Sequence, residues 1–134
     1  MKQMLSILGI FTLLMVSSCK KNTDPHIPPD LAFKTGGNYT AADRTVMHGD
    51  SIYVGIIITK KEDDIRNLNI SYAYDGNTST TTLQNVAMTA AEYSGYDHDF
   101  WIHTRNIAGT EKWIFTVTDR DGNLAQKSIM LTVQ

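Results

Sequence analysis

The densest group of side chains that could do chemistry is acidic and falls in two short segments. Asp63 and Asp64 follow a long apolar run, and Asp119, Asp121 and Asn123 lie in a glycine-containing segment near the end of the chain. Carboxylate and amide oxygens are the ligands that calcium prefers, and calcium takes about 6 to 8 of them. If the two segments meet in the fold, they predict a calcium site.

Two features of the same segments count against calcium. The second segment lacks the distal glutamate of an EF-hand loop, and Lys60, Lys61 and Arg120 place positive charge beside the acids. The competing interpretation is that Asp121 and Gly122 make a tight turn while the acids are solvated. The sequence favours this second interpretation, so we expect no cofactor. Calcium is the one alternative.

A second group is aromatic. Exposed rings stack on the faces of sugars, which makes Tyr93, Tyr96 and Trp101 candidate glycan-binding residues. Trp113 alternates in phase with the apolar residues after it, which predicts a core tryptophan. Phe100 and Trp101 are neighbours, so one of them faces inward and the other outward. Packing in the core or at a sheet edge is the competing interpretation for all these rings.

A third group consists of Asp97, Asp99 and His103, a local set of acids and a base of the kind that hydrolysis uses. The sequence contains no Gly-x-Ser-x-Gly elbow and no His-Glu-x-x-His motif. Its single cysteine, Cys19, lies near the start of the chain. A small hydrolase or glycan-processing enzyme is therefore the alternative hypothesis, and a non-enzymatic binding protein is the preferred one.

The elements that position these side chains are predicted to be strands, because apolar residues alternate with polar ones in short runs. Asp75-Gly76-Asn77 and the 119–123 segment are predicted turns. The predicted strands are 31–33 with 45–47 as a split first strand, 52–58, 68–74, 78–83, 100–105, 113–117 and 129–133. About seven strands spread over residues 30–134 are typical of a single immunoglobulin-like β-sandwich.

The chain begins with the pattern of an export signal. Lys2 precedes an apolar run that ends in small residues just before Cys19. The run is shorter than the roughly 20 apolar residues of a membrane-spanning helix, so residues 1–18 are predicted to be a signal peptide that is removed. The residues before Cys19 resemble the lipobox of bacterial lipoproteins. That resemblance implies that Cys19 carries lipid, and two or more acyl chains anchor a protein stably.

Residues 19–29 are predicted to be the lipidated cysteine and a flexible tether, because they contain all three prolines and little that packs. Ten extended residues span at most about 33 to 36 Å. Lys20 directly after the cysteine resembles lipoproteins that are sorted to the outer membrane. The resemblance implies an outer-membrane location, on either its periplasmic or its outward face.

The closing segment 115–133, with the sequence TVTDRDGN at its turn, resembles the last hairpin of bacterial extracellular Ig-like modules. Together with the lipobox and the 49–52 segment, it makes the chain similar to small Ig-like lipoproteins of Bacteroidetes. That resemblance implies a cell-envelope module that binds a protein or a glycan. Asp50-Ser51-Ile52 also resembles a short O-glycosylation motif, although Ser51 fits the start of a strand equally well.

The charge balance narrows the range of partners. The chain has 12 Lys and Arg against 14 Asp and Glu, a net charge of −2. Nucleic-acid-binding proteins concentrate positive charge, so we expect no nucleic-acid partner. With no cysteine in residues 30–134, neither a disulfide nor a cysteine metal site is expected there. The oligomeric state stays open.

The lipobox interpretation predicts that Cys19→Ser will release the protein from the membrane. Without the thiol no acyl chains can be attached, so the chain should move from the membrane fraction to the soluble fraction and lose labelling by radioactive palmitate. Ser18→Ala is the matched control and should leave both readouts unchanged. Membrane retention and labelling of the Cys19→Ser protein would contradict lipidation at this position.

Overall fold

The computed structural model describes residues 23–134, and the predicted signal peptide, Cys19 and residues 20–22 lie outside the described residues. All regular structure in residues 23–134 is β-strand. The strands are β1 (Asp30–Phe33), β2 (Arg44–Val46), β3 (Ser51–Thr59), β4 (Ile65–Tyr74), β5 (Thr81–Ala87), β6 (Gly95–His103), β7 (Gly109–Asp119) and β8 (Leu124–Val133). Within this part of the chain, no helix has the length and hydrophobicity needed to cross a bilayer.

The strands form two sheets, in the orders β1-β3-β6 and β2-β8-β7-β4-β5. Every pairing is antiparallel except β2 with β8, which is parallel. The first strand is split, as the sequence predicts, and the structure places β1 in one sheet and β2 in the other. This strand order is that of an immunoglobulin-like β-sandwich, which confirms the predicted fold class.

Several predicted strand boundaries differ from the structure, and β4, β6, β7 and β8 each begin three to five residues earlier than predicted. β5 starts at Thr81 because Asp75 and Gly76 have φ angles of 52° and 74°, and Asn77 N donates to the Tyr74 carbonyl at 2.9 Å. Two successive positive φ angles make a type I′ turn, and a loop follows it before pairing resumes. β6 starts at Gly95, earlier than predicted, because it stays paired with β3 as far as Thr59.

The core lies between the sheets. β3 shows why: Ile52, Val54, Ile56 and Ile58 alternate with outward residues and are at most 5% exposed. Trp113, the predicted core tryptophan, is 4% exposed. The other buried residues of this core cluster are Leu31, Val46, Ile65, Leu68, Ile70, Met88, Ile102, Phe115, Val117, Ile129, Leu131 and Val133. Because all of these core residues lie between Leu31 and Val133, a protein shortened to residues 20–134 contains the whole core.

The carboxylate of Glu111 is buried at the end of the sandwich where β6 leads into β7. Its Oε1 accepts hydrogen bonds from Arg105 N at 2.8 Å and from Arg105 Nε at 3.3 Å. Its Oε2 accepts one from Trp113 Nε1 at 3.1 Å. A buried charge needs such partners, because desolvation without them costs several kcal/mol.

Arg105 extends this network to the β4–β5 turn. Its guanidinium donates to both carboxylate oxygens of Asp75, at 2.9 and 3.0 Å, and lies 4.0 Å from the centre of the Tyr74 ring. The hydrogen bond from Arg105 holds the pKa of Asp75 below its usual value. The network thus joins β7, the loop before it and the β4–β5 turn into one rigid end.

We expect Glu111→Ala to lower the free energy of unfolding by about 3 kcal/mol, because Arg105 and the Trp113 indole lose their acceptor in the interior. Urea unfolding of residues 20–134 measures the change. Lys112→Ala, at the neighbouring exposed position, is the control and should stay within about 0.5 kcal/mol of the wild type. A loss below about 1 kcal/mol for Glu111→Ala would contradict a structural role for the carboxylate.

Candidate binding surface

The outer face of the three-stranded sheet carries aromatic, hydroxyl, imidazole and acidic side chains close together. β3 and β6 run antiparallel, and every second residue of each strand points away from the core. The outward cross-strand pairs are Ser51 with His103, Tyr53 with Trp101, Gly55 with Asp99, and Ile57 with Asp97. Directly opposite side chains contact each other, so these pairs form a continuous surface.

Three rings on this face pack in a row, which we call the aromatic strip: Tyr39, Tyr53 and Trp101. The Tyr39 and Tyr53 rings are stacked with centroids 4.9 Å apart, and the Tyr53 and Trp101 centroids lie 4.6 Å apart. Both tyrosines are partly buried, whereas Trp101 is 53% exposed. The strip therefore ends in an indole that the protein leaves open to solvent.

Tyr39 reaches the strip because the loop after β1 follows the edge of β3. Lys34 N donates to the Gly55 carbonyl and Thr40 N to the Tyr53 carbonyl, both at 2.8 Å. A Cβ atom at position 55 would lie 2.6 Å from Tyr39 Cε1. Glycine at this position is what allows the ring to lie against the strand.

A hydrogen-bonded ion pair holds Tyr39 in place. Asp99 accepts a hydrogen bond from Lys34 Nζ at 2.9 Å on one oxygen and from the Tyr39 hydroxyl at 3.0 Å on the other. The bond from Lys34 lowers the pKa of Asp99, and the same bond raises the pKa of Lys34. Desolvation, followed by the bond to Asp99, raises the pKa of Tyr39. All three groups therefore keep these contacts at neutral pH.

Two depressions meet at Trp101. One has a volume of about 500 Å³, and the other has about 300 Å³ and is lined by Ser51, Trp101 and His103. Trp101 and Ser51 line both. Ser51 Oγ lies 2.9 Å from His103 Nδ1, so a hydroxyl and an imidazole in mutual contact border the exposed indole. The larger depression is lined by Gly37, Asn38, Tyr39, Thr40, Arg44, Asp50, Ser51, Ile52, Tyr53 and Trp101.

The structure does not bring the three predicted aromatic residues together. Trp101 faces outward on β6, and its neighbour Phe100 faces the core. Tyr93 and Tyr96 are partly buried and pack against the core. Arg66 donates to the Tyr93 hydroxyl at 2.8 Å and lies over its ring. The strip is instead completed by Tyr39 and Tyr53, which the sequence analysis did not select.

The predicted acid–base set lies on the outer face of one strand. Because successive residues of a strand are about 3.3 Å apart, Asp99 is about 13 Å from His103 along β6, and Asp97 is about 20 Å from it. The Asp99 carboxylate is bonded to Lys34 and Tyr39, and His103 to Ser51. The structure thus pairs both aspartates with Lys34 and His103 with Ser51, and it does not bring Asp97, Asp99 and His103 to one point.

The acidic segments of the calcium prediction do meet, at the end of the sandwich where β1 begins. Arg120 N donates to the Asp64 carbonyl at 2.9 Å, and the Arg120 guanidinium binds the carboxylates of Asp63 and Asp121. Asp24, from the predicted tether, has a carboxylate oxygen within 4.8 Å of oxygens of Asp63 and Asp121. Arg120 therefore lies among the acids as a permanent cation.

The other predicted calcium ligands also have partners within the protein. Asp119 accepts hydrogen bonds from Asp121 N at 3.0 Å, from Asn123 N at 2.8 Å and from Asn123 Nδ2 at 3.0 Å, which stabilises the β7–β8 turn. Asp64 accepts one from Lys60 Nζ at 2.8 Å, and this bond lowers the pKa of Asp64. Calcium would have to displace these donors, and its binding here stays a prediction.

Comparison with known proteins adds little to this picture. No protein-family model matches the chain, and no curated protein matches it. Among solved structures, one of murine CRIg is similar at 14% sequence identity, over 79% of this chain and 98% of that one, with a TM-score of 0.43. The immunoglobulin-like fold is assigned from the strand order of the two sheets.

We expect Gly55→Ala to push Lys34 and Tyr39 away from Asp99, because the new Cβ would lie 2.6 to 2.8 Å from atoms of all three side chains. The pKa of Asp99, which Lys34 lowers, should then rise towards its ordinary value. A lowered folded-state pKa stabilises the protein above about pH 4, and that stabilisation is lost as the pH falls through the folded-state value. The variant should therefore lose part of this acid-sensitive stability.

An NMR titration of the Asp99 carboxyl carbon measures the pKa change directly. Gly95→Ala, in the same sheet, is the matched control, because its Cβ would meet only the Ile58 carbonyl at an ordinary 3.4 Å. It should leave the Asp99 titration unchanged. An unchanged titration in Gly55→Ala would show that the ion pair does not depend on the glycine.

Proposed function

We propose that the chain is a non-enzymatic binding module of the bacterial cell envelope, tethered to the membrane through lipidated Cys19. Its contact surface is the outer face of the three-stranded sheet, centred on Trp101. The observation that carries the proposal is the 53% exposure of this indole at the end of a row of packed rings. Tryptophan on a protein surface is enriched among the residues that dominate binding energies.

The position of the strip relative to the tether supports this role. The predicted tether joins the sheet at Asp30, which pairs with Thr59 at one end of β3. Tyr53 and Trp101 pair six residues further along, about 20 Å from that end. A domain held by its N-terminal end would therefore present the strip away from the lipid anchor, where a partner has access.

The last residues of the predicted tether contact the domain, which supports a defined direction for the tether where it leaves the domain. Ile27 N donates to Glu62 Oε2 at 3.1 Å, and Pro29 is buried. Glu62 lies in the β3–β4 loop, at the end of the sheet where Thr59 also lies. The chain thus leaves the domain along the end opposite Trp101.

A hydrolase is the second candidate, because Ser51 Oγ and His103 Nδ1 are at a nucleophile–base distance of 2.9 Å. A triad also requires an acid that orients the histidine. Asp99, grouped with His103 in the sequence analysis, is about 13 Å away along the strand and is bonded to Lys34. This geometry favours binding over catalysis.

The proposal predicts that residues 20–134 bind polymers of the envelope of the cells that produce the protein, and that Trp101→Ala weakens this binding about 30-fold. The factor corresponds to about 2 kcal/mol, the lower limit for a central tryptophan at an interface. Surface plasmon resonance on immobilised envelope material measures it.

Leu83→Ala is the matched control for this experiment. Leu83 has the same 53% exposure as Trp101 but lies on β5, in the other sheet. Its removal should leave binding unchanged, since it lies outside the proposed surface. The proposal fails if wild-type protein does not bind, or if the Trp101→Ala and Leu83→Ala proteins bind equally well.

A further inference from the structure

We propose that the partner of this surface is a neutral glycan and that at least two consecutive pyranose rings bind, one in each of the two depressions that Trp101 borders. This inference rests on the proposed function and specifies its ligand class. The shape of the strip, the charges around it and the polar groups at its border support this ligand class.

The exposed indole fits one face of a pyranose. A pyranose ring presents C–H groups on its face and hydroxyl groups around its rim, so it needs a flat apolar surface with polar groups beside it. Trp101 provides the flat surface, and the Ser51–His103 pair provides a hydroxyl and an imidazole at its border. Ring nitrogens and hydroxyls both donate and accept hydrogen bonds, as sugar hydroxyls require.

The two depressions set the minimum length of the glycan. Their volumes are about 500 and 300 Å³, and both are shallow and open to solvent. Both are lined by Trp101 and Ser51, so a ligand that fills one depression ends beside the other. A chain of linked sugars can occupy both at once, whereas a single sugar can occupy only one.

The charges around the strip favour a neutral glycan over an anionic one. Arg44 and Asp50, of opposite sign, both line the larger depression. Lys34 next to the strip is bonded to Asp99, and its Nζ also lies 3.5 Å from Asp97. A site for a polyanion would carry unbalanced positive charge, as in nucleic-acid and phosphate sites. Here the cations are matched by acids.

The same charges favour a glycan over a protein partner. The core of a protein interface is depleted in charged residues and covers about 800 Å² on each side. Lys34, Asp97 and Asp99 lie directly beside the aromatic strip, which is short along the strands. Ionised groups next to a single open ring match the alternating polar and apolar surface of a sugar chain.

The test treats one preparation of envelope material in two ways and measures binding of residues 20–134 to each. Proteinase K destroys proteins, and sodium periodate cleaves the vicinal diols of sugars. We expect binding to survive proteinase K and to be lost after periodate. The bound material should also resist displacement by high salt, since a neutral ligand releases no counterions.

Competition with fragments of the same glycan tests the two-ring requirement. Fragments from mild acid hydrolysis are separated by size, and fragments of two or more residues should compete at least about tenfold better than single sugars, because the second ring makes its own contacts in the neighbouring depression. Trp101→Ala should lose at least about tenfold in affinity for the fragments, and Trp101→Phe should recover most of it, because the phenyl ring can still stack. Leu83→Ala should bind as the wild type does.

The outcomes separate this inference from the function on which it rests. Binding that depends on Trp101 but is destroyed by proteinase K and spared by periodate would overturn the glycan and leave the contact function with a protein partner. If high salt abolished binding, the ligand would be a charged glycan, which would overturn the proposal that it is neutral. Equal competition by single sugars and longer fragments would overturn the two-ring site. Binding that is absent, or independent of Trp101, would overturn the contact function as well.

Discussion

The antiparallel pairing of β3 with β6 positions both the buried residues of these strands and the side chains of the candidate site. Its register places Tyr53 opposite Trp101 and Ser51 opposite His103. The same register buries Ile52 and the other inward residues of β3. A slip by one residue would turn the buried set outward, so burial of the core also fixes the surface. The arrangement of the candidate site is in this sense a consequence of the hydrophobic effect.

Polar contacts then hold in place the side chains and loops around the paired strands. The Lys34–Asp99 pair and the missing side chain at Gly55 hold Tyr39 against Tyr53. Near the other side of the site, Thr104 follows β6. Its backbone N–H donates to the Asp50 carbonyl and its hydroxyl to the Met47 carbonyl, which secures the loop before β3. Preorganised rings lose little conformational entropy on binding, so less of the interaction energy is spent on ordering the site.

The sequence predicts the fold well and the site only in part. Alternation identifies the strands, and the phase of Trp113 identifies it as core, because both follow from local period-two patterning. Trp101 is a candidate for the same reason. Tyr39 and the Ser51–His103 contact depend on a loop path and on cross-strand register, which are tertiary properties. Tyr53 could be identified from the sequence as an outward residue, because it alternates with buried residues of β3. Its place in the strip depends on Trp101, its cross-strand partner on β6.

NMR can measure directly whether this protein meets its partner at the aromatic strip. Amide and indole shifts of labelled residues 20–134 would be followed while fragments of the envelope glycan are added. The account predicts that the Trp101 indole Nε1–H and the amides of β3 and β6 shift, while β5 stays unchanged. Shifts confined to the five-stranded sheet, or to the acidic end around Arg120, would contradict it.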